Sequence, residues 1–160
     1  MLFSLMHIVH VLGVILWIGG LGFITILIFP LLLRSRNPLE KVLLFRRIEH
    51  KFAPLARVYN LVVGVSGFVM LFVAGWHNIL FTSQGRLLLF MVIVWTFWAV
   101  MLFGLEPLVV KRMLDKMTES DEEMDIDGIF RMMNKLHWLL LFVSLTAASA
   151  GVLFAHGTPF

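Results

Sequence analysis

Six histidines are the side chains best suited to chemistry in this sequence of 160 residues, because the chain contains no cysteine. The lack of cysteine excludes disulfides, thiol catalysis, thiolate metal sites and cysteine-ligated iron–sulfur clusters. Imidazole can instead bind haem iron, copper or zinc. The positions of the histidines therefore determine which cofactor chemistry the sequence allows.

The histidine at position 10 stands out because it lies within a long apolar run. His10, Gly13, Trp17 and Gly20 are spaced i, i+3, i+7 and i+10, which places them on one face of a helix. Glycines near a ligand leave room for a flat porphyrin, so the pattern predicts that His10 binds haem b. Stripes of small residues also occur where membrane helices merely pack, and this alternative stays open.

A second stripe follows in the next predicted helix, and we expect it to face the same cofactor. It consists of His50, Arg57, Asn60, Gly64 and Gly67, with His77 close to its end. We expect Arg57, or another basic residue near the inner ends of the helices, to pair with a haem propionate. We expect His77 to be the second ligand of the His10 haem. A second haem between His50 and His137 is a further possibility. Copper or zinc could also use these imidazoles.

Four apolar blocks must position these residues. Apolar residues make up 60% of the chain and charged residues 14%, against about 45–50% and about 25% in soluble domains. The blocks cover about 2–33, 58–76, 87–110 and 138–155. Three are near the ~20 residues that span a bilayer, and the first is longer, so we expect it to tilt or protrude. The sequence predicts an all-α, integral membrane four-helix bundle that forms a single transmembrane domain.

The distribution of charge predicts how this bundle is oriented. Twelve of the thirteen lysines and arginines lie in a basic segment, 34–57, and in an acidic loop, 111–135. Cytoplasmic loops are enriched in basic residues, so both segments are expected in the cytoplasm and both termini outside, in a bacterial inner membrane. This pattern marks topology and does not indicate nucleic-acid binding. Segment 34–57 is either an interfacial helix or an extension of the second span.

The run His10-Val-Leu-Gly-Val-Ile-Leu-Trp17-Ile-Gly-Gly20 resembles the first helix of the CopD copper-resistance domain and of the HemJ-type protoporphyrinogen oxidases. Weaker similarities to the HemJ type are Arg47-Ile-Glu-His-Lys-Phe-Ala-Pro54, Asn134 and the terminal Pro159-Phe160. The resemblance implies a membrane protein of four or five helices that binds b-type haem through the histidine of helix one, here His10.

The leading hypothesis is a b-type cytochrome with one or two haems, which exchanges electrons with a quinone or a redox partner protein. The first alternative is a HemJ-type oxidase acting on a porphyrin, protoporphyrinogen IX. CopD-like copper transport and a membrane anchor with incidental histidines are further alternatives. The sequence leaves open whether the chain forms a homo-oligomer.

Overall fold

A computed structural model of the chain describes residues 1–35, 37–105 and 125–157, and these residues form helices and short turns without a strand. The helices are α1 (Leu2–Arg34), α2 (Pro38–Val73), α3 (Arg86–Val100, continued by Met101–Leu105) and α4 (Ile126–Ala155). All four helical segments are long and apolar enough to cross a membrane. The predictions of an all-α fold and of four such helices are confirmed.

Helix α2 is longer than the predicted second span. The side chain of Asn37 accepts hydrogen bonds from the backbone N–H groups of Leu39 and Glu40, and Pro38 occupies the first turn, so the helix begins there. It then continues for 36 residues, about 54 Å at about 1.5 Å per residue. Residues 38–57 are thus a helical extension of the span, which is one of the two forms expected for the basic segment.

The other predicted boundaries also differ from the structure. Gly75 has a φ of 72°, in the left-handed region that glycine adopts readily, so α2 stops at Val73 and Trp76–Asn78 form a separate turn. Helix α4 begins at Ile126, earlier than the predicted 138. The predicted end of the third span at 110 and residues 111–124 of the acidic loop lie outside the described residues.

A wider, π-helical turn interrupts α1 at Ile24–Ile28. It directly precedes Pro30, whose ring lacks an N–H group and would clash with a carbonyl one turn earlier in a regular α-helix. The wider turn relieves this clash. The hydroxyl of Thr25 donates to the Leu21 carbonyl at 2.7 Å, so a buried polar side chain is satisfied within the same helix.

The helices pack mainly as two antiparallel pairs, α1 with α2 and α3 with α4. Glycines allow this close approach: a Cβ atom at Gly13 would lie 3.0 Å from Val63 Cγ2, and one at Gly20 would lie 2.7 Å from Phe52. The central core draws on all four helices and consists of Trp17, Leu21, Ala56, Val63, Val94, Trp98, Leu102, Leu140 and Leu141.

A second apolar cluster lies at the end of the bundle where α1 ends and α2 and α4 begin, which we call the basic end. It is built from Ile24, Phe29, Leu32, Val42 and Phe130. Lys41 is buried beside it, with 2% of its side chain exposed, and forms an ion pair with the largely exposed Asp127. At the opposite, terminal end, Trp76 contacts Phe3 and Phe154 in edge-to-face geometry.

The ion pair predicts an asymmetry between two single substitutions. Asp127→Asn leaves the buried Lys41 ammonium without its partner, whereas Lys41→Met leaves only a carboxylate that water can solvate. Asp127→Asn should therefore lower the midpoint of thermal unfolding in detergent by several degrees more than Lys41→Met does. Equal effects, or the reverse order, would contradict the burial of Lys41.

The glycine contacts predict a second difference. A Cβ atom at Gly64 would overlap the Trp95 indole, whereas one at Gly19 would meet no atom within 4 Å. Gly64→Ala should reduce the free energy of unfolding by about 1–3 kcal/mol, the range for overpacking a core. Gly19→Ala is the matched control and should be neutral or slightly stabilising. Unfolding in mixed detergent micelles measures both changes.

Candidate cofactor site

His10 is held against α2 by hydrogen bonds from one edge of its ring. Its Nδ1 lies 2.9 Å from the Val63 carbonyl oxygen and 3.1 Å from Ser66 Oγ. A carbonyl oxygen can only accept a hydrogen bond, so Nδ1 carries the proton and donates it. In the neutral imidazole, Nε2 then keeps its lone pair. The ring is therefore presented in the form that can bind a metal.

Ser66 reinforces this arrangement from a buried position, with 1% of the residue exposed. Its hydroxyl lies 2.6 Å from the Val62 carbonyl, to which it donates, so its oxygen can accept from His10. Two groups of α2 thus set the orientation of one imidazole of α1. The sequence reasoning did not single out Ser66, although a hydroxyl between apolar residues and beside Gly67 was a signal of a buried polar contact.

The glycines near His10 serve a different purpose from the one expected. A Cβ atom at Gly67 would lie 3.1 Å from His10 Cε1, so the absence of a side chain there lets the imidazole lie against α2. The spaces at Gly13 and Gly20 of α1 are filled by Val63 and Phe52 of α2, and the space at Gly64 is filled by Trp95 of α3. The α1–α2 interface is therefore packed with protein atoms and has no room for a porphyrin between the two helices.

Three tryptophans connect the helices of the central core. Trp17 packs against Trp98 with ring centroids 5.4 Å apart, and Trp98 Nε1 donates to Ser144 Oγ at 3.0 Å. Trp95 Nε1 donates to the Asn60 backbone carbonyl at 2.9 Å. Trp17, predicted to share a cofactor-facing surface with His10, is buried among apolar side chains and connects α1 to α3.

Asn60 is the most unusual polar residue of the bundle. It is fully buried, and neither its side-chain nitrogen nor its side-chain oxygen has a hydrogen-bond partner among the described residues. One turn earlier on α2, Arg57 Nε donates to the Leu102 carbonyl at 2.9 Å, within the π-helical turn Met101–Leu105 of α3. The structure thus brings Arg57 and Asn60 to the α2–α3 contact, but without a partner for the amide.

The other histidines that were predicted as ligands lie at separate places. His77 is exposed on the turn after α2, beside Phe72, and is ten residues beyond the Gly67 that contacts His10. His50 is exposed on α2. His137 is half-buried, with Nδ1 2.9 Å from the Met133 carbonyl of its own helix and its ring 4.4 Å from that of Phe29. Within the ranges that the structure describes, no three histidine or acidic side chains cluster as metal ligands would.

No family model, curated protein or solved structure matches this chain. The geometry of the site provides a pre-oriented imidazole at His10 and, within the described residues, an unpartnered buried amide at Asn60.

The unpartnered amide predicts that Asn60→Leu stabilises the ligand-free protein. Leucine has the same branched shape as asparagine and requires no hydrogen bonds, so the substitution removes a desolvation penalty of about 1–3 kcal/mol. Ser66→Ala is the contrasting variant and should destabilise, because Ser66 is buried and fully partnered. Unfolding in mixed micelles tests both variants, and a loss of stability in Asn60→Leu would show that the amide is satisfied in the purified protein.

Proposed function

We propose that this chain is a membrane-embedded b-type haem protein that carries electrons, with His10 as an axial ligand. The observation that supports the proposal is the hydrogen bond from His10 Nδ1 to the Val63 carbonyl. Histidines that bind metals almost always donate their other ring N–H to a carbonyl or carboxylate, which fixes the tautomer and raises the basicity of the ligating nitrogen. Few other roles require an imidazole to be oriented in this way within an apolar helix.

The residues near His10 support its role as an iron ligand, but those that the structure describes do not enclose a pocket for the porphyrin. His10 would hold the iron through Nε2, Val63 and Ser66 would keep the ring in place, and the apolar side chains of α1 would limit access of water. Because the α1–α2 interface is filled, the porphyrin would lie away from it. Bound haem would supply a one-electron centre whose potential depends on its ligands and on its burial.

Several parts of this proposal rest on sequence patterns. The second ligand, for which His77 is the preferred candidate, the presence of one haem or two, and a further site at His50 and His137 belong to it. The assignment of a quinone or a redox protein as the electron partner also belongs to the proposal. The basic residues between the helices favour a bacterial inner membrane with both termini outside.

The proposal predicts the spectrum of the purified protein. After expression with added haem precursor, the detergent-solubilised chain should show a Soret band that shifts on reduction with dithionite, together with α and β bands. His10→Ala should lose these bands, because the variant lacks the imidazole that would bind the iron. A pyridine haemochrome assay gives the number of haems per chain.

His156→Ala is the matched control, because His156 is exposed at the end of α4 and its side-chain hydrogen bond within the described residues goes to Val152 of its own helix. It should keep the full haem content. A folded, colourless wild-type protein would contradict haem binding. Copper(I) bound in its place and lost in His10→Ala would favour the transport alternative, and oxidation of protoporphyrinogen by the haem-loaded protein would favour the HemJ-type oxidase.

A further inference from the structure

One open groove lies on the surface of α2, far from the hydrogen bonds of His10. It has a volume of about 340 Å³ and is lined by Arg47, Ile48, Lys51, Phe52 and Leu55. At about 100° per residue these five positions share one helical face. Phe52 forms the side of the groove that meets α1, where its ring fills the space beside Gly20. The groove thus combines two cations with an apolar wall.

The two cations of this groove have no partners among the described residues. Arg47 and Lys51 are exposed, and neither forms an ion pair or hydrogen bond within the part of the chain that the structure describes. They are four residues apart, the spacing at which like charges on a helix repel each other. Lys41, by contrast, is neutralised by Asp127. An anion placed between Arg47 and Lys51 would relieve the repulsion that the described residues leave uncompensated.

The apolar side of the groove continues along the helix. Leu55 is exposed, and the same face carries the exposed Val58 and Val65 farther into the apolar part of α2. The face therefore changes from cationic to apolar in the direction of the bilayer centre. This order matches a phospholipid, whose anionic headgroup lies at the interface and whose acyl chains extend into the hydrocarbon region.

We propose that the groove at Arg47, Lys51 and Leu55 binds an anionic phospholipid, with the phosphate between the two cations and an acyl chain along Leu55 and Val58. Basic side chains next to a membrane span attract anionic headgroups, and the effect of each is large enough to measure. The proposal rests on membrane insertion of α2 and is independent of haem, so a colourless protein could still bind the lipid.

Native mass spectrometry of the full chain in detergent, titrated with phosphatidylglycerol or phosphatidylethanolamine, tests the proposal. The wild type should bind phosphatidylglycerol preferentially. The double variant Arg47→Gln/Lys51→Gln should bind it about 25-fold more weakly, about fivefold for each cation. Arg46→Gln is the matched control, because Arg46 is exposed on the same helix but lies on the opposite face. It should retain the wild-type affinity.

Four outcomes would overturn the proposal. The first is equal binding of the two lipids by the wild type. The second is weakening by Arg46→Gln of about fivefold, the same factor per charge as in the double variant, which would indicate diffuse charge attraction. The third is full displacement of the lipid by millimolar inorganic phosphate, which would indicate an anion site without acyl contacts. The fourth is a dimer that the double variant dissociates without lipid, which would assign the face to a second copy of the chain. Helical content by circular dichroism establishes that each variant is folded.

Discussion

The close packing of α1 against α2 is the constraint on which the other contacts depend. It is possible because glycines on each helix face side chains on another, as Gly13 faces Val63 and Gly67 faces His10. In a lipid environment apolar side chains gain little by leaving the bilayer, so close van der Waals contact and buried hydrogen bonds must hold the helices together. The bond from His10 to the Val63 carbonyl forms only because the two backbones approach this closely.

The same packing limits where a cofactor could lie. A helix pair that encloses a porphyrin must keep its backbones apart, whereas this pair fills its glycine spaces with valine, phenylalanine and histidine side chains. His10 is consequently at once a contact in the helix interface and the one imidazole whose second nitrogen is oriented by another helix. Any group bound to Nε2 must approach from outside the α1–α2 interface, because Nδ1 faces α2.

The sequence predicted the number and type of the helices well, because long apolar runs are compatible with few structures other than membrane-spanning helices. It predicted the starts of α2 and α4 less well: segment 34–57 was expected either as an interfacial helix or as an extension of the second span, and only the structure shows that Asn37 and Pro38 start a helix that continues through it. His10 was recognised from its apolar surroundings, but Ser66 and the Val63 carbonyl were not. The reason is physical: spacing along one helix shows which residues share a face but not which backbone carbonyl of a neighbouring helix that face will meet. The burial of Lys41 depends likewise on an aspartate 86 positions later.

The π-helical turn at Ile24–Ile28 divides α1 into two parts with independent rotational phase. One extra residue within a turn rotates everything after it by about 100° about the helix axis. Phe29 and Leu32 therefore bury their side chains fully in the cluster at the basic end, while Trp17 and Leu21 occupy the central core. Substitutions in one cluster therefore do not have to follow the helical repeat of the residues in the other cluster. Deletion of a single residue between 24 and 28 would turn the last helical turns, with Arg34, toward a different neighbour and leave the face around His10 unaltered.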